Sequence, residues 1–473
     1  MMRYYPMMLV LCLAMLSGCL PQELVVWSPN GQTAAVLNGD ALFLCDGDGK
    51  LSSEPRVEKV GTVAWMPDSA RLVVVRQEPV STWEQAKPLL SDAQQAAAVA
   101  QGEAFMKELL AHQGDISEFQ PKVSISTVGL VYVRESYREK LIERVGQEKF
   151  DELAVMEAGV WQLQLFDVAG DTLKAGRVLA SELSGMAAIR VSPDGKLVAY
   201  TAELPAESQS SLALFIIATE SDAAPRLVAE TVLKSMDFTA DGQQLVYARA
   251  IAARKLGDDT PPALGELARS SLYSEGALAE EFAKETLATV LFNEEARVRC
   301  LKDGRILFSA AEVQLPALAD KFSAESGLYM LTGGAEPTLK CILAPKERQG
   351  AKPLADVFQV SPDETRVAIL YDKGQVGLLP LDGGPMHMIL EKTFGERDTL
   401  MVPYWRSQVE LCMLVPPGSP SGSAERAEVV LWSPEKARCI SRDWTDVAFL
   451  QGNEQAATAP AEAETQPATQ PAE

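Results

Sequence analysis

The sequence predicts an all-β chain built from repeated antiparallel sheets, and three observations predict it. A ten-residue phrase, VSPDGKLVAY at 191–200, returns in worn form as WSPNGQTAAV, WMPDSARLVVV, FTADGQQLVYA, LKDGRILFSA and VSPDETRVAIL. Each copy places a short apolar strand before a Ser-Pro-Asp-Gly-like turn and a second apolar strand after it. A third strand and commonly a fourth follow, as LALFIIAT and PRLVAE do after the third copy.

Each element has its own reason. In the turn, Pro presets φ, Asp bonds its own backbone and Gly takes the positive-φ position, so the two flanking runs read as a hairpin. Aligned on the turn residue, the copies stand at Asn30, Asp68, Asp194, Asp241, Asp303 and Asp363, which are 38, 126, 47, 62 and 60 residues apart. Four short strands repeating at such a period make the blade of a β-propeller, a unit that buries both its faces only when a ring of copies closes. VPYWRSQVELCMLV followed by AEVVLWSPEKARCIS supplies one further, more worn unit. There LWSPEK (431–436) reads as a third strand, because Trp432 lies only 27 residues after Trp405. The expected fold is an all-β propeller of seven four-stranded blades over residues 19–450, with six and eight blades as the alternatives. RDWTDVAFL (442–450) then either closes the ring or starts an eighth blade.

The 126-residue gap must hold a blade and a mainly helical insertion at 84–156, inside blade two. Residues 84–113 are rich in Ala, Gln, Glu, Lys and Leu and read as helix. VSISTVGLVYV (123–133) reads as strand-like. RESYREKLIERVGQEKFDEL reads as one amphipathic helix, with Tyr137, Leu141 and Val145 on one stripe. The insertion is either a partner-binding surface or a lid packed over the ring. Shorter insertions are expected at 253–289 in blade four, where EGALAEEFAKETLATVLF reads as helical, and at 311–326 in blade five, read as a loop. The Ala/Pro/Gln/Glu/Thr composition of 451–473 predicts a disordered tail.

At the N-terminus, Arg3 and the apolar stretch Met7 to Leu16 have the form of a signal peptide, residues 1–18, too short to span a bilayer. Leu16-Ser17-Gly18-Cys19 resembles the lipobox of bacterial lipoproteins. That resemblance implies cleavage before Cys19 and a diacylglyceryl group on its thiol; an ordinary signal peptide is the alternative. Leu20 stands where an Asp would favour the inner membrane, so the expectation is the periplasmic face of the outer membrane. No later apolar run of about 20 residues appears, which predicts a lipid anchor instead of a span. A formal charge of −22 argues against a nucleic-acid partner, and no Lys/Arg cluster suits anionic lipid head groups.

The turn phrase resembles the WD40-like Pro-Asp repeat of TolB-type propellers, shared with the propeller domains of prolyl-oligopeptidase relatives, over residues 24–450 apart from the insertion. The resemblance implies action by protein contact. Two departures bear on it. The hydrolase domain of the peptidase relatives has no counterpart after the propeller, and the N-terminal α/β domain of TolB-type proteins has none between Cys19 and the first strand.

Catalytic chemistry is thinly represented. His112 and His387 are the only histidines, and no HExxH, paired-Cys zinc spacing, G-x-S-x-G elbow, P-loop or G-x-G-x-x-G occurs. GSPSG (418–422) has Pro where the elbow needs another residue. PMHM (385–388) suits either a soft metal or a strand edge with Met packed inward. CDGDGK (45–50) has alternating Asp like a calcium loop, but Lys50 replaces a ligand, so a turn is expected. No catalytic, cofactor or metal residue is nominated; Cys19 is the single site residue. With Cys12 lost in the signal, Cys45, Cys300, Cys341, Cys412 and Cys439 are expected as buried reduced thiols. Cys412 and Cys439 fall on second and fourth strands, roughly 10 Å apart, beyond the 7 Å or so of a disulfide.

The function expected is a cell-envelope lipoprotein whose propeller is a non-enzymatic protein-binding scaffold, contacting an envelope partner through 84–156. The alternatives are an envelope hydrolase or lyase with acidic residues at the channel, and a degenerate structural propeller.

Overall fold

The computed structural model describes residues 24–114, 119–155, 157–204, 211–251, 263–292, 296–314, 322–323, 327–333, 337–344, 352–372, 374–390, 402–415, 428–433 and 438–439. Residues 1–23, which include the expected signal peptide and Cys19, lie outside them, as do GSPSG, RDWTDVAFL and the C-terminal tail.

Four separate four-stranded meanders are present among the described residues. They are Val60–Trp65, Arg71–Val80, Ala158–Ala169 and Thr172–Glu182; Val298–Cys300, Ile306–Ala310, Gly327–Thr332 and Thr338–Leu343; Pro353–Val360, Arg366–Tyr371, Val376–Pro380 and His387–Leu390; and Tyr404–Ser407, Glu410–Val415, Glu428–Ser433 and Arg438–Cys439. LWSPEK thus begins in a third strand, as expected, since Glu428–Ser433 pairs with Glu410–Val415. Val25–Trp27, Thr33–Asn38 and Ala41–Asp46 make a three-stranded sheet, to which bridges from Val57 and Leu51 add an outer segment. Besides a two-stranded ribbon of Tyr273–Ser274 and Ala277–Leu278, there is a nine-stranded sheet, in which Arg226–Phe238 serves two meanders of seven strands together and Glu312–Gln314 and Phe322–Ser323 add two more. The first half of Arg226–Phe238 pairs with Ser211–Ala218; after a register shift, Met236–Phe238 pairs with Gln244–Ala250. Thr231, at a φ of 56°, lies between the two halves.

The apolar runs are continuous because both faces of these strands are buried, and alternate residues serve opposite neighbours. In Arg366–Tyr371, Val367, Ile369 and Tyr371 pack with Phe358 of their own sheet and with Leu307 and Leu328 of the preceding one, while Ala368 and Leu370 pack towards Tyr404 and Leu411 of the next. Leu197–Leu204 behaves likewise: Val198, Tyr200 and Ala202 face Val73 and Leu163, and Leu197 and Ala199 face Phe238 and Tyr247. One cluster unites Leu411, Cys412 and Leu431 with Val25, Trp27 and Val36, joining the last sheet to the first. The chain is therefore an all-β propeller whose core is the set of layers between neighbouring sheets.

The repeated phrase is legible in the turns. At Ser192 the hydroxyl donates to Asp194 Oδ1 (2.7 Å) and accepts from Leu197 N–H (2.9 Å), while Asp194 Oδ1 also accepts from Lys196 N–H (3.1 Å). The same bonds recur at Ser28 with Asn30, Thr239 with Asp241 and Ser361 with Asp363. At Asp241 the Thr239 hydroxyl and the Gln243 N–H hold the carboxyl below its usual range. At Asp194 partial burial pushes the other way, but the bonds from Ser192 and Lys196 outweigh it. A carboxyl lowered in the fold stabilises above its unfolded value of 3.8 and loses that contribution as pH falls through the lower folded value. Asp194→Ala is expected to cost about 1 kcal/mol near neutral pH, a difference that shrinks below pH 3.8 in urea titrations at a series of pH values.

Because each sheet is an antiparallel meander entered at its inner strand, these turns and the third-to-fourth connections share one end of the ring. Second-to-third connections and the crossings between sheets share the other. At the turn end, neighbours are stapled directly: Asn30 N–H to Ser69 Oγ, Lys302 N–H to Glu364 Oε2, Arg366 Nη2 to the Gln408 carbonyl, and Arg406 Nε to the Gly31 carbonyl. The opposite, connection-bearing end receives the chain after Val80, Leu204, Ala250, Ala310 and Val415, and so carries the helices between Val80 and Ala158.

Four expectations are corrected. Residues 123–133 are not strand: Thr127–Ser136 is a helix, capped by Ser126 Oγ on Gly129 N–H and packed on Asp92–Ala111. Gly102 and Gly129 let these two helices cross closely, since a methyl at Gly102 would meet Tyr132 and Val133 below 3 Å. The single helix expected after it is broken at Tyr137 and again at Gly146 (φ 86°) into Arg138–Val145 and Gln147–Val155. The 253–289 insertion contains strands. Ala263–Ser271 and Lys284–Phe292 complete their meander, the latter burying Ala288, Val290 and Phe292 at the two-residue period of a strand. Finally, 311–326 is not simply a loop, because Glu312–Gln314 pairs with Lys284–Phe292 and so extends the neighbouring sheet.

Candidate functional site

The helices after Val80 are held to the ring by an apolar joint. Val80, Trp83, Ala86, Leu90, Ala98, Val128 and Val131 pack with Ala158, Val160 and Leu183. The Trp83 ring meets Tyr132 edge-on at 5.5 Å, the Trp83 backbone N–H donates to Glu135 Oε2 (3.1 Å), and Arg134 Nη2 donates to the Ser81 carbonyl (2.9 Å). Further along the chain a second, separate core of Met106, Leu109, Val133, Leu141 and Phe150 forms within the helices themselves. Tyr137 and Val145, expected on one stripe with Leu141, both pack against it. Leu110, on the same long helix, is 48% exposed. The insertion is thus a small helical unit rooted at one blade, with an interior of its own.

Where its long helix begins, three parts of the molecule meet. Ser91 caps Asp92–Ala111, and Gln94 completes the capping box from within the first turn. Gln94 Nε2 also donates to the Ser181 carbonyl and to Glu182 Oε2 (3.3 Å), at the end of the outer strand Thr172–Glu182. Glu182 Oε1 accepts from the Tyr200 hydroxyl (2.9 Å), which belongs to the next meander. Burial raises the Glu182 carboxyl above its ordinary value against the opposing pull of both donors, and burial beside that carboxyl raises the Tyr200 hydroxyl. Glu203 is raised by burial too, with Lys234 acting against the shift. Glu203 and Tyr200 lie on opposite faces of Leu197–Leu204, so Glu182 and Glu203 do not form a paired acid and base on one surface.

A second buried carboxylate is neutralised within one meander. Glu266, 7% exposed, accepts from Lys284 Nζ (2.6 Å), Thr286 Oγ1 (2.7 Å) and Arg249 Nη1 (3.0 Å); burial pushes its carboxyl up, and these bonds bring it below the usual range. On an inner strand, Asp237 spends Oδ2 on Cys300 N–H and Oδ1 on Phe238 N–H. Both arrangements join strands.

The residues singled out in the sequence fall as follows. In CDGDGK, Asp46 Oδ1 accepts from Asp48 and Lys50 N–H, which makes the segment a turn. Met386 and Met388 pack against the core beside Phe358 and Tyr371, and Met386 Sδ accepts from the Tyr371 hydroxyl, so PMHM is a strand entry. Among the described residues no group of three or more His, Cys, Asp and Glu is placed to hold a metal ion. Cys45 and Cys412 are buried, and burial, reinforced at Cys45 by the neighbouring Cys412, pushes both thiols up to about 12. Cys439 lies on the strand next to Glu428–Ser433, one strand removed from Cys412. The meeting of Gln94, Glu182 and Tyr200 was not anticipated. Its one sequence signal is the capping box Ser91-x-x-Gln94.

No family model matches the chain, nor does any curated protein. Among solved structures it is similar to the β-propeller domain of Cps50 (Swd1) from Myceliophteria thermophila, at 10% identity and a TM-score of 0.44, covering 87% of this chain and 96% of that one. It is similar to a prolyl endopeptidase at 11% identity and a TM-score of 0.44, covering 89% and 48%. It is also similar to prolyl oligopeptidase B of Galerina marginata at 13% identity and a TM-score of 0.38, covering 61% and 42%. The chain spans about half the length, or less, of the two peptidases it matches.

Proposed function

We propose that the protein is a seven-bladed propeller that serves as a non-enzymatic binding scaffold of the bacterial cell envelope. In this reading it is anchored by lipid on Cys19 at the periplasmic face of the outer membrane, and it meets a protein partner through 84–156. The blade number is supported by the succession of inner strands from Val25–Trp27 through Val60–Trp65, Met186–Val191, the end of Arg226–Phe238, Val298–Cys300 and Pro353–Val360 to Tyr404–Ser407. The observation that carries the binding role is the second core of the insertion, at Met106, Leu109, Leu141 and Phe150, separate from the joint on the ring. A unit with its own interior holds its shape while presenting an outer surface. The envelope location rests on the sequence of the first twenty residues.

The test is in-cell cross-linking with mass spectrometry, on the intact protein and on a variant with 84–156 replaced by a short turn. A reproducible partner captured by the intact protein and lost from the variant, while circular dichroism shows the ring still folded, is the expected result. Partners that persist after the replacement place the contact elsewhere on the ring.

A further inference from the structure

Leu24 is fixed just before the inner strand Val25–Trp27. Its carbonyl accepts from Leu37 N–H (2.8 Å), and its N–H donates to the Tyr404 hydroxyl (3.0 Å). Leu37 leads into the second-to-third connection at Gly39 and Asp40, so Leu24 lies at the connection-bearing end, opposite the Ser-Pro-Asp-Gly turns. Its strand is an inner one, which puts it beside the axis of the ring and away from the rim. We propose that the connection-bearing end rests on a lipid surface, with Ile251 and Leu264 entering the head-group region and the turn end facing away. The inference rests on the reading that Cys19 carries lipid.

The length of the tether sets the orientation. Cys19 stands five residues before Leu24, and five residues extend to about 18 Å at most. The straight line from Leu24 to the turn end, along a strand such as the six-residue Thr33–Asn38, is about 20 Å. Passing outside the ring instead means crossing four strands about 4.8 Å apart and then descending that depth, roughly 35 Å in all. A lipid on Cys19 therefore reaches a bilayer beneath the connection-bearing end and falls short of one beneath the turns.

The side chains at the two ends agree with this. Ile251 and Leu264 are 56% and 49% exposed at the connection-bearing end, where the Ile251 N–H donates to the Leu264 carbonyl (3.0 Å) beyond the pairing of Gln244–Ala250 with Ala263–Ser271. Two branched apolar side chains set together gain by leaving water for the boundary of head groups and acyl chains. At the turn end Asp68, Asp194, Asp241 and Asp303 are exposed, and their carboxylates lose hydration there without compensation. The formal charge of −22 selects the kind of surface, since anionic head groups repel such a chain and zwitterionic ones do not.

The test uses the full chain extracted from membranes and reconstituted into vesicles of phosphatidylcholine and phosphatidylethanolamine. A photo-cross-linking side chain is placed at Ile251 or Leu264, at Val409 in a turn of the opposite end, or at Leu227 on an outer strand, all four exposed and apolar. The mass of the peptide carrying Cys19 is measured on the same samples. Phospholipid adducts from Ile251 and Leu264, none from Val409 and Leu227, and the mass of a diacylglyceryl group on Cys19 are the expected result. A lipidated Cys19 with adducts from Val409 or Leu227, or with none from any of the four, overturns the orientation and leaves the anchor standing. A Cys19 peptide without lipid overturns the anchor, and the orientation with it.

Discussion

Trp27→Ala is expected to lower the free energy of unfolding by about 3–5 kcal/mol and to open the junction between the last sheet and the first. Among the described residues no strand is exchanged across this junction: Val25–Asp46 and Tyr404–Cys439 form separate sheets. Among these residues side chains join the two sheets. The Leu24 N–H donates to the Tyr404 hydroxyl (3.0 Å), the Arg406 guanidinium lies 5.2 Å from the Trp27 ring centre, and Trp27 Nε1–H donates to Cys412 Sγ (3.0 Å). At two other junctions the corresponding indole reaches a backbone carbonyl, Trp65 to Val26 and Trp405 to Gln359. The staple at Trp27 ends instead on sulfur, a weak acceptor. Its strength therefore comes from ring burial, which is what the substitution removes. The thiols report the outcome. In the unaltered protein Cys45 and Cys412, raised to about 12, resist alkylation at neutral pH. In the variant both become modified at the rate at which the junction opens, while Cys300 on a different junction stays protected. Unchanged stability and unchanged labelling would show that the ring is closed by something other than this indole.

Gly327→Ala is expected to cost about 1–3 kcal/mol by the opposite route, overfilling instead of emptying. Gly327 opens the strand Gly327–Thr332, where a register shift to Thr338–Leu343 brings the backbones close. An added methyl would collide with the Leu343 carbonyl and lie 3.2 Å from Cys341 Sγ. Gly333→Ala is the control, because its added methyl meets nothing nearer than 3.8 Å and should stay within about 0.5 kcal/mol. Equal effects from the two would contradict the close strand approach.

The ring was readable because its signal is local and repeated. Each Ser-Pro-Asp-Gly copy folds from bonds spanning five residues, as at Ser192 to Leu197, so six worn copies announce the same hairpin. Strands 263–271 and 284–292 were missed for a physical reason. Their alternation is diluted by Glu266, Arg269, Lys284 and Glu285, whose charges are matched between strands, as Arg269 with Glu285 and Lys284 and Arg249 with Glu266. Read along the chain, EEFAKE looks helical; tertiary pairing overrides that propensity. Thr127–Ser136 was misread because Val128, Val131 and Val133 suit a strand until the glycine crossing with Asp92–Ala111 is known. The Gln94–Glu182–Tyr200 contact joins three segments as far as 106 residues apart, and no local pattern encodes it.

In the proposed function a protein partner docks on the helical insertion, at the connection-bearing end of the ring. It is tested most directly by a photo-cross-linking side chain placed at Leu110 on the insertion or at Gln408 in a turn at the opposite end, both exposed. A discrete protein adduct from Leu110 and none from Gln408 is the expected result. An adduct from Gln408 alone, or equal adducts from both, would contradict it.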